Sequence, residues 1–236
     1  MAFVVPLLVI LVGLSGSFSQ EGIPTNRDLP ISFPDLQKKV FVFPAASHKA
    51  FVRLNVTLEK PLTSLTVCLK HHCSLLRSYS LFSYATKSTD NAFLIFKEKP
   101  NVYSISVGGS DVFFKIPNEV IPRWEHICVS WNSKNGLIHF WLNGVLLPRM
   151  GTKRGYAISN HASIILGQDQ DTFGGGFDSS QSFTGDMSAV NMWARTLNTE
   201  EVRLLMKDDT VPNPLASWDA LNYTIHDYVV ITDEEP

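Results

Sequence analysis

The sequence lacks the short motifs that mark the large enzyme classes, and it lacks a concentrated basic region. No H-E-x-x-H metal-binding motif, G-x-x-x-x-G-K-[ST] phosphate-binding loop or G-x-S-x-G nucleophile elbow occurs in the 236 residues. The 20 Lys and Arg residues are spread along the chain beside 22 Asp and Glu residues, and the formal net charge is -2 at pH 7. Because nucleic-acid-binding domains carry clustered positive charge, we do not expect nucleic acid as a partner.

Long apolar runs are also scarce, and the one that is present lies at the start of the chain. The run "AFVVPLLVILVGLSG" is shorter than the roughly 20 residues needed to cross a bilayer. Small residues follow at Ser17 and Ser19, a pattern typical of a cleavage site. We therefore expect a signal peptide over residues 1–19 and a secreted, extracellular protein that does not span a membrane. A proline-containing N-terminal extension over residues 20–36 then precedes the main domain, residues 37–236.

Cysteine is rare, with three residues in the chain. Cys68 and Cys128 lie in the strand-like segments "SLTVCLK" and "EHICVSW", and an oxidising compartment would allow them to pair. Cys73 would then remain as a free or intermolecular thiol. A metal site in "KHHCSLL" is the less favoured alternative, because two adjacent His and one Cys match no known ligand spacing. Sequons at Asn55 and Asn222 fit the same compartment and predict N-glycosylation.

Most of the remaining chain consists of short aromatic and β-branched segments separated by Pro, Gly and Asn. This pattern predicts an all-β fold, an antiparallel sandwich of two sheets. The Asn135-Gly136 pair between "HICVSWNSK" and "LIHFWLNG" predicts a hairpin. One segment has helical character: "LNTEEVRLLMKDD" offers Asn198 as an N-cap with Glu201 three residues later. We therefore expect one short helix on a β body.

The segment "GQDQDTFGGGFDSSQSF", residues 167–183, combines acidic and amide residues with three consecutive glycines. In an extended backbone, carboxylates two residues apart project to the same side. The segment contains no His or Cys, which disfavours zinc or copper and favours calcium, a cation that binds oxygen ligands. The alternative is a solvated polar loop, since Asp, Gly and Ser are common turn residues. The candidate calcium ligands are Asp169, the Gln170 carbonyl, Asp171, Asp178 and Gln181.

The segment "HICVSWNS" resembles the signature His-x-Cys-x-[Ser/Thr]-Trp-x-[Ser/Thr] of the pentraxin family. The segments "YSLFSYATKSTDNAFLIF", "YSISVGGSDVFFKIP" and "NMWARTL" and the 167–183 loop are also similar to short pentraxins, so the resemblance covers residues 37–230. It implies a jelly-roll, lectin-like sandwich with one helix, a disulfide that matches Cys68 to Cys128, and a cyclic homopentamer with its calcium sites on one face.

The resemblance also supplies calcium ligands from a distant strand edge, Asp90 and Asn91. It implies two calcium ions for each subunit. The first is held by Asp90, Asn91, Asp171 and the Gln170 carbonyl. The second depends on Asp169, Asp178 and Gln181, and we expect it to bind weakly because Asp169 stands where the family usually has the longer Glu.

Family members that bind phosphocholine place the phosphate on calcium and the quaternary ammonium over an apolar surface near an acid. The matching positions here are Phe96, Ser106 and Asp111. The resemblance therefore implies a pattern-recognition protein of innate immunity and the acute phase, which binds phosphocholine or related phosphorylated ligands on microbial or damaged-cell surfaces. Two alternatives stay open: the ligand is another anionic or carbohydrate group, or Phe96 is an ordinary core residue.

Other functions are less favoured by the same residues. A glycoside hydrolase needs a carboxylic acid that donates a proton, and acids that bind calcium are poor donors because the cation favours their ionised form. We therefore expect no enzymatic activity. A structural or aggregation-handling secreted module would bind its targets without calcium. Asn143 and Met206 stand where the family has complement-contacting Asp and Tyr residues, so we do not expect complement recruitment.

Overall fold

Short strands make up most of the fold, as the aromatic and β-branched segments predict. The computed structural model describes residue 1, residues 35–117 and residues 123–235. The predicted signal peptide, residues 1–19, lies outside the described residues except for Met1. The predicted N-terminal extension, residues 20–36, also lies outside them except for its last two residues.

Contacts between α-carbons divide the chain into residues 1–32 and residues 33–236, and every element described below belongs to the second unit. Within the described part of the chain, no helix combines the length and the apolar character that a bilayer crossing requires.

The described residues contain fifteen strands, one α-helix and one 3₁₀ helix. In chain order they are β1 (Lys39–Phe43), β2 (Phe51–Leu54), β3 (Ser64–His72), β4 (Tyr79–Thr86), β5 (Thr89–Lys99), β6 (Val102–Val107), β7 (Ser110–Lys115), β8 (Glu125–Asn132), β9 (Leu137–Leu142), β10 (Val145–Leu146), β11 (Met150–Gly151), β12 (Ala162–Leu166), β13 (Gly185–Trp193), α1 (Thr199–Leu205), the 3₁₀ helix (Trp218–Ala220), β14 (Tyr223–His226) and β15 (Val230–Asp233).

The strands form two antiparallel sheets, so the predicted sandwich is confirmed. One sheet has the order β10-β9-β8-β3-β13-β1-β15, with β11 also paired to β9. The other has the order β14-β2-β12-β4-β5-β6-β7. The core holds large side chains from both sheets, among them Phe93 of β5 and Trp131 of β8, each 0% exposed. Because side chains alternate along a strand, each sheet also has an outer face, and the outer face of the second sheet carries the candidate site.

The disulfide expected between Cys68 and Cys128 is present. The two residues lie directly opposite each other in the pairing of β3 with β8, and their sulfur atoms are 2.05 Å apart. Both are fully buried in a small apolar cluster that includes Trp141 and Val202. The bond closes a loop of 60 residues, which contributes about 4 kcal/mol in the chain-entropy description.

The predicted helix and its N-cap are also present. The Asn198 side chain accepts a hydrogen bond from the Glu201 backbone N–H at 3.0 Å, and the Glu201 carboxylate accepts one from the Asn198 N–H at 2.9 Å. This capping box satisfies two backbone donors that the first turn leaves unpaired. The helix buries Val202 and Leu205, whereas Leu204 stays 41% exposed.

Five of the strands were not expected from the sequence: β10, β11, β13, β14 and β15. The strand β15 pairs with β1, and its Asp233 forms an ion pair with Lys39 at 2.5 Å. The predicted hairpin is confirmed: it joins β8 to β9 through a turn of four residues, 133–136. Of the expected Asn135-Gly136 pair, only Gly136 has a positive φ, +72°.

Candidate functional site

The acidic loop, residues 167–183, connects β12 to β13 and lies on the outer face of the seven-stranded sheet. Its two ends are fixed to one residue of β4. The Ser80 backbone N–H donates to the Gln181 carbonyl at 3.0 Å, and the Ser80 hydroxyl donates to the Gln168 carbonyl at 2.9 Å. Gly167 has φ +84°, and a Cβ there would lie 2.5 Å from the Phe43 ring, so the turn into the loop requires glycine.

Gln170 holds the middle of the loop against the sheet. Its side-chain amide donates to the Ser83 carbonyl at 3.0 Å, to the Ser83 hydroxyl at 3.1 Å and to the Ser163 carbonyl at 3.0 Å. Its side-chain oxygen accepts the Gly174 N–H at 2.9 Å. Since the side chain is fully buried and engaged by these bonds, the backbone carbonyl is the group that remains for a cation, and sequence analysis selected that same atom.

Asp169 is a buried carboxylate in an unfavourable electrostatic environment. The side chain is 6% exposed. Burial, followed by repulsion from Asp171, raises its pKa to about 7; Asp90 and Asp111 add to the repulsion, and a backbone hydrogen bond from Gln170 opposes it. Ionisable groups whose pKa is shifted by burial and by neighbouring charges are concentrated at functional sites.

Three buried oxygens of the predicted calcium ligands have no hydrogen-bond partner. They are Oδ1 of Asn91, Oδ1 of Asp169 and Oε1 of Gln181. Leaving a buried polar atom unpaired costs roughly 1–3 kcal/mol, so most such atoms in folded proteins are paired with protein groups, water or a ligand. Carboxylate and amide oxygens are the groups that calcium prefers, and the donor set therefore fits this cation.

The remaining carboxylates of the predicted set are exposed and interact electrostatically with one another. The pKa of Asp171 is raised by partial burial and by repulsion from Asp90 and Asp178. Asp178 accepts hydrogen bonds from the Ser180 N–H and hydroxyl, both at 2.8 Å, and these bonds lower its pKa. Among residues 35–117 and 123–235, no group of three or more His, Cys, Asp or Glu side chains is arranged to hold a metal by itself. The candidate site therefore depends on amide and backbone oxygens as well as carboxylates.

The predicted ligand pocket lies on the same outer face as the acidic loop. Phe96 is on β5, Ser106 on β6 and Asp111 on β7, and Ser106 is directly opposite Asp111 in the strand pairing. The Ser106 hydroxyl donates to the Asp111 carboxylate. Phe96 is 6% exposed, and its neighbour Ile95 packs in the core between the sheets, so alternation along β5 directs the Phe96 side chain toward the opposite face of the sheet.

The other predicted residues lie away from this face or at its edge. Cys73 is a free thiol that donates a hydrogen bond to the Tyr79 hydroxyl at 2.9 Å. Asn143 follows β9 in the other sheet, where its side-chain oxygen accepts the His126 N–H at 2.8 Å. A Cβ at Gly144 would lie 2.4 Å from the sulfur of Met206, so the two positions matched to complement contacts are neighbours.

The residues that support the loop were not predicted from the sequence. Ser80 and Ser83 are separated from the loop residues that they bind by more than 80 positions along the chain. Gln168 was also missed: its side-chain amide donates to the carbonyls of Ser47 at 2.6 Å and Ala50 at 2.9 Å, and its Oε1 is a further buried oxygen without a partner. A serine in a strand or a glutamine in a loop carries no local signal for such long-range bonds.

Comparisons with known proteins agree with this fold. The model of the Pentaxin family matches residues 39–233. The chain is 46% identical to serum amyloid P-component of Cavia porcellus over 84% of this chain and 88% of that protein. It is 41% identical to C-reactive protein of Homo sapiens over 92% of each chain.

A solved structure also matches this protein in its fold. The heptameric SAP-like pentraxin of Limulus polyphemus superimposes with a TM-score of 0.76 and 25% identity, over 84% of this chain and 96% of that chain. The two-sheet jelly-roll sandwich expected from the sequence is thereby confirmed. On the family model, the relatives and the fold together, the chain belongs to the Pentaxin family, the pentraxins.

Proposed function

We propose that this pentraxin is a secreted, calcium-dependent recognition protein that binds phosphocholine or related phosphorylated ligands on microbial or damaged-cell surfaces. One observation carries the proposal. Asn91, Asp169 and Gln181, which sequence analysis selected as calcium ligands, each contribute a buried oxygen without a hydrogen-bond partner. A divalent cation would satisfy these oxygens and offset the repulsion that raises the pKa of Asp169.

The proposed division of the ligands follows their places in the fold. Asp90 and Asn91, at the start of β5, would hold the first calcium ion with Asp171 and the Gln170 carbonyl. Asp169, Asp178 and Gln181 would hold the second, more weakly, as predicted from the short Asp169 side chain. When bound, calcium would supply the positive charge that attracts an anionic oxygen of the ligand.

The metal would contribute little to the stability of the fold. At millimolar calcium and the dissociation constants of extracellular modules, about 10⁻⁴ to 10⁻³ M, one bound ion stabilises the folded state by about 0.4 to 1.4 kcal/mol. We therefore propose that the site serves ligand capture.

The choline part of the ligand would lie beside Phe96, Ser106 and Asp111. An aromatic face attracts a quaternary ammonium by about 0.5 to 2 kcal/mol. Asp111 is exposed, and it lies close enough to Asp169 to raise the pKa of that buried carboxyl. A zwitterion with its phosphate toward the metal ligands and its cation toward Asp111 would match this distribution of charge.

Three further points belong to the same proposal. The protein acts as a binding module and not as an enzyme, because its clustered acids are assigned to metal ligation. It assembles as a homo-oligomer, and the family resemblance favours a pentamer. It does not recruit complement, because Asn143 and Met206 replace the residues expected to make that contact.

The proposal is tested by calorimetric titration of phosphocholine into the purified protein, at millimolar calcium and again in excess chelator, with phosphoethanolamine in parallel. We expect binding only with calcium and a preference for phosphocholine. Calcium-dependent binding without that preference would remove the choline pocket and retain the metal site. If calcium itself gives no binding heat, the assignment of the 167–183 loop is wrong; if ligand binds equally in chelator, a calcium-independent module is favoured.

Variants test the proposed choline pocket independently of the metal site. Phe96→Ala is expected to weaken phosphocholine binding about 3- to 30-fold, the range of one cation–aromatic contact, and to leave calcium binding unchanged. Asp111→Asn is also expected to weaken phosphocholine binding. Tyr228→Ala is the matched control, because this aromatic is 60% exposed in the turn between β14 and β15. Loss of binding in the control as well would indicate a general surface effect.

A further inference from the structure

The two sequons are far apart in the sequence but adjacent in the fold. The Asn55 backbone N–H donates to the Asn222 carbonyl at 2.9 Å. The Asn55 side-chain amide donates to Oδ1 of Asn222 at 2.9 Å and to the Thr224 hydroxyl at 3.1 Å. Both hydrogens of the Asn55 amide are therefore engaged, whereas the Asn222 amide nitrogen makes no hydrogen bond among the described residues. A substituent on Asn222 would leave all three bonds intact, and one on Asn55 would break at least one of them.

A groove of about 350 Å³ separates this pair from the tip of the acidic loop. Arg53, Ser163 and Phe173 line it together with Asn55 and Asn222. Its volume lies within the range of small-ligand sites, about 300 to 1,000 Å³. The groove thus connects the sequon pair, at the edge strand β14, with the loop that carries the candidate calcium ligands.

The groove contains polar atoms that the protein leaves unpaired. Nε of Arg53 and the hydroxyl of Ser163 are buried without a hydrogen-bond partner, and Ser163 is 4% exposed. A Cβ at Gly174 would lie 3.5 Å from Nη2 of Arg53 and 3.7 Å from the Ser163 hydroxyl, so the loop tip passes close to both. A ligand that fills this groove would therefore contact the loop.

The chemistry of the lining fits a carbohydrate. Phe173 is 43% exposed and offers an aromatic face on which the apolar face of a sugar ring packs. An unpaired guanidinium N–H and an unpaired hydroxyl are partners for sugar hydroxyl and acetamido groups. Because the sequon asparagines form one side of the same groove, an attached glycan would reach it without a separate binding event.

We propose that the inner sugars of an N-linked glycan carried on Asn222 occupy this groove, pack against Phe173 and restrain the 167–183 loop. In the covalent step, the Asn222 amide nitrogen forms a bond to the anomeric carbon of an oligosaccharide that is supplied as a polyprenyl diphosphate. The bond from that carbon to the diphosphate oxygen breaks, the amide loses a proton, and the polyprenyl diphosphate is released. The inference does not rest on calcium binding, since the glycan would contact Phe173 without the metal.

The test uses protein secreted from eukaryotic cells. Peptide mass spectrometry locates the glycan, and hydrogen exchange of residues 171–176 is measured in excess chelator before and after the glycan is released by an amidase. We expect glycan on Asn222 and about threefold faster exchange after its release, the effect of losing one aromatic contact. In Phe173→Ala, release of the glycan should no longer change the rate.

Three variants act as controls. Thr224→Ser keeps the second sequon and Thr224→Ala removes it, so only the Ala variant should reproduce the faster exchange. Thr57→Ala removes the first sequon and should leave the exchange of the loop unchanged. Absence of glycan from Asn222, or equal exchange with and without it, would overturn the inference. Neither result depends on calcium binding, so this experiment and the test of the proposed function are independent.

Discussion

At the scale of single residues, Asp169 shows how the site conflicts with the stability of the metal-free fold. The side chain is 6% exposed, one of its oxygens has no partner, and its neighbours Asp171 and Asp90 are also acidic. Burial of a charge without a counter-ion destabilises a protein, and carboxylates with such raised pKa values are concentrated at functional sites. The loss of unfolding free energy that this buried carboxylate causes in the metal-free protein can therefore be measured.

Replacing Asp169 by Asn should stabilise the calcium-free protein and reduce the stabilisation that calcium provides. In excess chelator, Asp169→Asn removes a buried negative charge, and we expect the free energy of unfolding to rise by about 1 kcal/mol. At millimolar calcium, the stabilisation gained from the metal should fall, because a ligand of the second ion is weakened. Urea unfolding in both buffers checks this, with Asp209→Asn as an exposed control. Equal stability of the variant and the native protein in both buffers would contradict the assignment.

The residues that carry the site differ in how well the sequence predicts them. Asp171 and Asp178 come from the composition of one short segment, and Asp90 from resemblance to a family. The sequence gives no signal for Ser80 and Ser83, which hold the loop in place, because their partners lie more than 80 positions away. A sequence pattern predicts ligand side chains that lie in one segment, but it does not predict hydrogen bonds between distant segments.

At the scale of elements, polar contacts hold the 167–183 loop against the seven-stranded sheet. Gln170 supplies four of the side-chain hydrogen bonds, to Ser83, Ser163 and Gly174, in a fully buried position. Buried networks of this kind fix one conformation when every member is paired. The proposed calcium ligands on either side of Gln170 depend on that conformation.

Removing the Gln170 side chain should therefore weaken calcium binding, although the proposed ligand is its backbone carbonyl. Gln170→Ala leaves the partners at Ser83 and Ser163 without their buried hydrogen bonds, and we expect a loss of about 2 to 4 kcal/mol in unfolding free energy. Calcium titration should show at least a tenfold lower affinity. Gln37→Ala, at an exposed position, is the control for loss of a glutamine side chain. Unchanged calcium affinity in Gln170→Ala would show that the carbonyl position does not depend on this anchor.

Elements also differ in how far local sequence determines them. The helix α1 was predicted because its capping box, Asn198 with Glu201, is a local signal within four residues. β13 was missed because it contains Gly, Asp and Asn and because its pairing with β3 shifts between Ser188 and Asn191, where Ala189 has φ +51°. Such a bulge interrupts the alternation by which strands are recognised, and only the pairing partner explains why the segment is extended.

At the scale of the whole molecule, the buried His126 predicts how global stability depends on pH. It is 6% exposed in β8, next to the disulfide cluster, and its Nδ1 has no hydrogen-bond partner. Burial lowers its pKa from the usual value to about 4; Lys70 also lowers it, and Asp208 partly opposes this. Lys70 and Asp208 themselves form an ion pair at 2.7 Å, so their charges largely offset each other.

A histidine whose pKa is lowered in the folded state contributes stability above the pKa of the unfolded chain, and that stability is lost as the pH falls. Below about pH 6.5 the unfolded state binds a proton at His126, whereas the folded state binds it only near pH 4 and below. Between pH 7.5 and 5, we expect this residue to lower the free energy of unfolding by about 2 kcal/mol. The measurement is urea unfolding across that interval at constant, saturating calcium.

The variant His126→Gln isolates this contribution from those of the other titrating groups. Gln does not titrate, so the decrease between pH 7.5 and 5 should be smaller by about 2 kcal/mol in the variant than in the native protein. Any general destabilisation by the substitution shifts both ends of the interval equally and cancels in the difference. Groups such as Asp169 and Glu125 are present in both proteins and cancel in the same way. Parallel pH profiles for the two proteins would show that His126 is accessible to protons in the folded state, and its assignment as a buried neutral residue of the structural core would then be wrong.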